Sequence, residues 1–240
     1  MAPRLPSLRR PPIAFAHRGA RAHARENTLE AFRLALRLGA TGLESDVWIT
    51  ADGVAVLDHD GVVGGRLRRR PIGALRRDEL PVHVPTLEDL YAECGADYEL
   101  SLDVKAPRAA EATVAVARAA GGGALERLWL CGQGPEVLGV WRGLAEEIRL
   151  VDSTRLGRLK EGPERRAAQL VRVGASAVNL HASDWTGGLG ALFHRFELLA
   201  FGWDAQLPRV LGELLDMGLD AVYSDHVDRM VDAVAALGRP

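Results

Sequence analysis

The stretch GLESDVWITADGVAVLDHD, residues 42–60, decides the reading of the fold. Strand side chains alternate, so Glu44 and Asp46 point to one side while Ser45 and Val47 point to the other. The turn Ala51-Asp52-Gly53 then joins TGLESDVWIT to VAVLDHD as a hairpin, which requires those two strands to run antiparallel. Working outward, short apolar runs alternate with helical patterns: IAFAH (13–17) precedes residues 27–38, where Leu29, Phe32 and Leu36 recur at helical spacing. The alternation continues through YELSLDVK, RLWLCG, IRLVDS, SAVNLHA, LLAFGW and DAVYSD, each followed by a helical stretch. It is the pattern of a parallel sheet. With VAVLDHD set aside, eight strands remain, at Ile13, Leu43, Leu100, Leu128, Leu150, Val178, Leu199 and Ala221. An α/β fold follows, a closed (β/α)8 TIM barrel with a β-hairpin and a short insertion after the second strand.

The 240 residues, 48% hydrophobic and 26% charged, suffice for this barrel as a single domain over 1–240. Lys and Arg number 30 against 32 Asp and Glu, a balance that argues against a nucleic-acid coat or a strongly cationic membrane binder. Cys94 and Cys131 match neither a disulfide framework nor a CxxC motif, and 13–16 is too short for a signal-peptide core, so a cytoplasmic setting is expected. No run of 18 apolar residues is present, so no stable membrane insertion is expected. An open doubly wound sheet would also alternate, but no GxGxxG or GxxxxGK[ST] loop follows a strand, and no nucleotide cofactor is implied. Only Lys105 and Lys160 are lysines in an arginine-rich chain, so a retained lysine marks a place where a compact ammonium serves better than a guanidinium.

Barrels carry their chemistry at the C-terminal ends of the strands. There the sequence places His17 and Arg18 on the first strand, Glu44 and Asp46 on the second, and Asp103 and Lys105 on the third, with Leu102 and Val104 turned to the helices. The returning hairpin brings His59 and Asp60 towards the same face. Three carboxylates in one mouth repel unless a cation holds them, and all-oxygen donors suit Mg²⁺ or Ca²⁺, with Mn²⁺ also accommodated, better than zinc. Two imidazoles beside such a metal suit proton removal from an attacking oxygen and proton delivery to a leaving one. Arg18 and Lys105 add positive charge for an anionic reacting group. The combination reads as phosphodiester cleavage.

Through HRG (17–19), ENT (26–28), the 42–60 stretch, VPTLEDL (84–90) and LDVK (102–105), the chain resembles the glycerophosphodiester phosphodiesterase family. The resemblance implies metal-dependent hydrolysis of glycerophosphodiesters to sn-glycerol 3-phosphate and an alcohol. It further implies Glu44 and Asp46 as metal ligands, His17 and His59 as the acid–base pair, and Arg18 and Lys105 as phosphate binders. Glu26 and Asn27 of ENT fall, on the same resemblance, near metal and substrate, as a ligand and an orienting or substrate-binding group. The third strand departs from the family's Glu-x-Lys, because Asp103 is one methylene shorter and leaves room for a water between it and the metal. Arg25 replaces a common proline, and AFGWDAQ departs from the usual Trp-Thr pattern.

Other residues have plainer readings. Asp60 orients His59; Trp203 walls the pocket and packs glycerol carbons. His23, His83 and His194 read as surface residues, and His181 and Asp225 stand at strand ends without an assigned role. Arg66, Arg68, Arg69 and Arg70, with Arg76 and Arg77, read as a solvated run within an irregular insertion over 61–84. The expected partner is a small-molecule glycerophosphodiester; the oligomeric state is not specified by the sequence. Lysophospholipids are the alternative substrate, a reading that an acyl-chain groove near 61–84 would favour. A Schiff-base lysine at Lys105 and a non-catalytic glycerophosphodiester-binding barrel are the readings from other classes.

Overall fold

A computed structural model describes residues 4–65 and 69–238. In chain order the elements are β1 (Ile13–Ala16), α1 (Leu29–Arg37), β2 (Gly42–Ile49), β3 (Ala55–Leu57), β4 (Val62–Val63), β5 (Arg70–Pro71), α2 (Leu87–Cys94), β6 (Glu99–Val104) and α3 (Ala109–Ala120). They continue with β7 (Leu128–Gly132), α4 (Pro135–Trp141), β8 (Arg149–Thr154), α5 (Pro163–Arg172), β9 (Ala177–His181), α6 (Gly187–His194), β10 (Leu199–Trp203), α7 (Pro208–Asp216), β11 (Ala221–Ser224) and α8 (Val227–Ala236). The strand order β1-β11-β10-β9-β8-β7-β6-β2 is closed by pairing of β1 with β2, so eight parallel strands form a complete barrel. These are the eight strands the sequence predicts.

Period-2 alternation divides the core in two. Outward residues such as Leu43, Val47, Leu100, Leu102, Leu130, Val178 and Val222 meet the apolar faces of the helices. Inward residues Ile13, Phe15, Trp129, Val151, Phe201 and Tyr223 fill the barrel; Phe15 stacks on Tyr223 at 4.6 Å, and Trp129 meets Phe201 edge-on. The interior is therefore a packed floor beneath the mouth. Five of the eight helices among the described residues start at a threonine or glycine N-cap: Thr28, Thr86, Gly134, Gly162 and Thr186. Thr86 accepts from the Asp89 amide while Asp89 accepts from the Thr86 amide, a reciprocal capping box for α2.

β3 pairs antiparallel with β2, Val47 opposite Leu57 and Ile49 opposite Ala55, as the hairpin reading requires. The strand is shorter than VAVLDHD: the Asp58 amide still donates to the Asp46 carbonyl at 3.1 Å, and the Asp58 carboxylate caps the Gly61 amide where the chain turns away. The insertion is more ordered than expected. β4 and β5 pair, two 3₁₀ turns follow, and Ile72, Leu75, Leu80 and Val84 form a small core with Val56 and Trp48. Apolar residues scattered through 61–84 without periodicity conceal this cluster from sequence reading. Arg66 and Arg68 lie outside the described residues; Arg70 pairs with Glu79, and Arg77 approaches Asp89. α4 ends at Trp141, and beyond it the Arg142 side chain turns to the carbonyls of Ala145 and Ile148.

Candidate active site

β2 and β6 run in register with Asp46 beside Asp103 and Glu44 beside Ser101, so one wall of the mouth is carboxylate. Lys105 Nζ bridges it, 2.8 Å from Asp46 Oδ1 and 3.1 Å from Asp103 Oδ2. Burial disfavours the ammonium, but Asp103 and Asp46 outweigh it and hold the Lys105 pKa above its ordinary value. A lysine engaged by two carboxylates as an ammonium is unsuited to Schiff-base chemistry, which speaks against the aldolase reading. Burial pushes the Glu44 carboxyl up to about 7, with His17 pulling it back and the charges of Asp46 and Asp103 adding to the rise. Burial likewise raises Asp103, against the pull of Lys105. Asp46 Oδ2 is buried and has no hydrogen-bond partner, while Glu44 and Asp103 are held away from their comfortable ionised state. This donor set fits a hard divalent cation, which would satisfy the orphaned oxygen and relieve the mutual repulsion.

His17 follows β1 and faces this wall, its Nε2 3.8 Å from Glu44 Oε2. Its Nδ1 donates to Asp225 Oδ1 at 2.6 Å, a carboxylate carried just past β11. Burial alone would lower the imidazole pKa, but Glu44 and the hydrogen bond to Asp225 outweigh it and raise it. His59, beyond β3, lines the same cleft, and its Nδ1 donates to Asp60 Oδ1 at 2.8 Å. Each histidine thus has one nitrogen fixed by an aspartate and Nε2 left for chemistry. Asp60 takes the orienting place expected of it, and Asp225 acquires one.

Arg18 sits in the left-handed region, φ 52°, which turns its amide onto Glu44 Oε2 at 2.9 Å. Gly19 follows at φ 80°, where a Cβ would lie 2.8 Å from the Ala31 backbone carbon; the third letter of HRG is a steric requirement. The Arg18 guanidinium reaches both Glu26 oxygens at 3.2 Å and brings Nε to 3.6 Å from Asp46 Oδ2.

Glu26 is paired with the Arg18 guanidinium, which also approaches Asp46 Oδ2, and with Arg21 Nε at 2.5 Å. Asn27, at φ 53°, turns outward and accepts from Ser45 Oγ at 2.8 Å, on the helix side of β2, so it does not line the mouth. His194 is also not a surface residue: it donates to buried Asp220 at 2.8 Å.

The wall opposite the carboxylates was not legible beforehand except for Trp203. Trp203 lines the cleft of about 380 Å³ together with Asn179, Ser153, Arg155 and Arg158. Arg155 stands 5.7 Å over the Trp203 ring, and His181, fixed by Asp204 and Ser183, meets that ring edge-on at 4.6 Å. Asn179 donates to Ser153 Oγ at 3.3 Å, while its buried Oδ1 has no partner. Inward parity at the ends of β8 and β9 was the available signal for Ser153, Arg155 and Asn179.

The arrangement can bind an anion between cations and carboxylate-held charge and move protons on either side of it. Residues 17–229 match the model of the Glycerophosphoryl diester phosphodiesterase family. A Mycobacterium tuberculosis protein named "Probable glycerophosphodiester phosphodiesterase 2" is 30% identical, the match covering 94% of this chain and 92% of that protein. Among solved structures, the glycerophosphodiester phosphodiesterase of Thermotoga maritima is similar with a TM-score of 0.79 and 21% identity over 92% of this chain and 97% of that one. An Oleispira antarctica phosphodiesterase, solved with the product sn-glycerol-3-phosphate, gives 0.78 and 21% over 93% and 97%. The chain belongs to the glycerophosphoryl diester phosphodiesterase family, whose members are phosphoric diester hydrolases.

Proposed function

We propose that the protein hydrolyses soluble glycerophosphodiesters to sn-glycerol 3-phosphate and an alcohol by metal-dependent acid–base catalysis. The observation that carries the reading is the pairing of His17 and His59 in one cleft, each with Nδ1 held by an aspartate, against the wall of Glu44, Asp46 and Asp103. Glu44, Asp46 and Asp103 would hold the divalent cation, Mg²⁺, Ca²⁺ or Mn²⁺, which supplies charge stabilisation at the phosphorus oxygens. Arg18 and Lys105 bind the phosphate oxygens. One imidazole takes a proton at Nε2 from the attacking oxygen, a water or the glycerol 2-hydroxyl, which bonds to phosphorus as the bond to the head-group oxygen breaks. The other imidazole protonates that departing alcohol from Nε2. Where the 2-hydroxyl attacks, a water then opens the cyclic phosphate with the two histidines in exchanged roles, giving sn-glycerol 3-phosphate. Trp203 packs the glycerol carbons, and the buried Asn179 Oδ1 accepts from a glycerol hydroxyl. The described barrel acts as one domain, and the free thiols Cys94 and Cys131 accord with a reducing, cytoplasmic setting.

The test is release of sn-glycerol 3-phosphate from a panel of glycerophosphodiester head groups, before and after chelation. EDTA abolishes turnover and Mg²⁺, Mn²⁺ or Ca²⁺ restores it; full activity in thoroughly chelated protein removes the metal from the scheme. Absence of turnover across the panel with metal supplied favours the binding-only barrel.

One observation favours lysophospholipids as a second substrate class. A groove of about 720 Å³, walled by Val137, Val140, Trp141 and Leu144, shares Asp103, Lys105, Gln133 and Ser153 with the cleft. It lies between α3 and α4. The cavity beside the insertion, at 61–84, is lined by charged Arg25, Glu26, Asp58 and Asp60 as well as by Val62 and Val63, and suits an alkyl chain less well. Turnover of a short-chain lysophospholipid, reduced by Val140→Glu with glycerophosphodiester turnover unchanged, distinguishes the two classes.

A further inference from the structure

His23, in the loop after β1, faces His226 and Asp228 at the start of α8, and one ligand atom from each lies within 4.8 Å of the other two. His23 Nε2 is 3.2 Å from Asp228 Oδ1, and the two imidazoles meet edge-on with centroids 6.3 Å apart. Nothing in the hydrolytic scheme uses these residues. We propose that they form a second metal site, for a borderline transition-metal dication of the zinc class.

The donor chemistry separates the two sites. At the mouth every candidate donor is oxygen, which suits hard cations; here two imidazole nitrogens and one carboxylate suit zinc. Four ligands at about 2.1 Å around zinc stand about 3.4 Å apart, so modest side-chain rotations close the cluster and a water completes it. His23 and Asp228 are partly exposed, with side-chain accessibilities of 37% and 50%, which gives the ion an open approach. The backbone on both sides is already anchored: the Ala22 amide donates to the Asp225 carbonyl at 3.1 Å, the His23 amide to the Ala20 carbonyl at 2.8 Å, and the His226 amide to Ser224 Oγ at 3.1 Å. An ion bound here staples the loop after β1 to the first turn of α8. Those two segments carry Arg21 and Asp225, which form an ion pair at 3.3 Å. The site is a staple on the backbone that holds the partner of His17.

Calorimetric titration of Zn²⁺ into metal-stripped protein, with a large excess of Mg²⁺ present, reads the site directly. One equivalent binds in wild type and in Glu44→Gln, and its affinity falls at least about tenfold in His23→Ala and in His226→Ala. His83→Ala, a histidine outside the cluster, leaves it unchanged. Co²⁺ in place of zinc gives the visible bands of a low-coordinate nitrogen–oxygen site, and the same two variants lose them. Circular dichroism confirms that each variant is folded. Failure of wild type to bind zinc under Mg²⁺, or an equivalent unaffected by both His23→Ala and His226→Ala, overturns the proposal.

Discussion

At Asp225 a carboxylate contributed by the end of the last strand fixes the nitrogen of a histidine on the first, 208 positions earlier. Its own pKa is held below the usual range: burial would raise it, but the hydrogen bond from His17 and the nearby positive charges outweigh burial. Asp225→Asn offers His17 an amide that can present a donor where an acceptor is needed, so kcat should fall by about 10- to 100-fold while KM changes little. His17→Ala and His59→Ala should each lower kcat by about 10² to 10⁴ at saturating metal. The double variant should cost less than the product of the single losses, because the two act as a unit. Wild-type kcat in either single variant would make that histidine structural. At the carboxylate wall, Asp103→Asn should weaken Mn²⁺ binding in a calorimetric titration, and Asp103→Glu should tighten it or alter the preferred metal. Equal affinities in all three proteins would remove Asp103 from the site.

Among elements, the hairpin that delivers His59 depends on a close approach. Gly61 has φ 66°, and a Cβ there would lie 2.3 Å from the Trp48 ring. Gly61→Ala should destabilise the protein by about 1–3 kcal/mol and lower kcat by displacing His59; thermal unfolding and steady-state kinetics check the two effects separately. Unchanged kcat would show that His59 tolerates movement of its hairpin. Much of this level was legible in the sequence, because alternation in β2 and β6 assigns Glu44, Asp46 and Asp103 to one side and Ser45 and Val47 to the other. Asn27 escaped that logic: it belongs to no strand, and its left-handed backbone, which motif spacing does not reveal, turns the amide towards Ser45. Asp225 and Asn179 escaped for another reason. Asp225 is a single polar residue whose partner His17 comes from the far end of the chain, brought to it by the pairing of β1 with β11, and Asn179 acquires its place from the register that sets it opposite Ser153 on β8. The core of the insertion depends in the same way on β2 and β3 lying beneath it.

At the scale of the whole molecule, the face opposite the cleft is tied by Asp220. This buried carboxylate accepts from His194, the Ala200 amide, Ser7 and the Arg9 amide. Burial alone would raise its pKa, but those hydrogen bonds hold it below the usual aspartate range. A depressed carboxylate contributes stability that is present above the ordinary aspartate pKa of about 4 and is lost as pH falls through its lower folded value. Asp220→Asn should therefore be weaker than wild type at neutral pH, by about 1–3 kcal/mol from the donors left unpaired. It should also lose less on acidification below about pH 4. Denaturant melts at a series of pH values test both, and parallel curves for the two proteins would remove Asp220 from the acid response.

The barrel seams are unequal. β1 pairs with β11 along all four of its residues, Ile13 to Ala16 opposite Ala221 to Ser224. The junctions flanking this pair are thin: Phe15 with Gly42 and Ala16 with Leu43 on one side, Phe201 with Ala221 and Gly202 with Val222 on the other. Under a pulling force, rupture begins at the thin seams, and the β1–β11 ribbon separates as one piece. That ribbon carries His17 at one strand end and Asp225 at the other. A mechanically loosened barrel keeps its histidine–aspartate couple intact and loses the alignment of that couple with Glu44, so force silences the site by misregistration before it unfolds the parts.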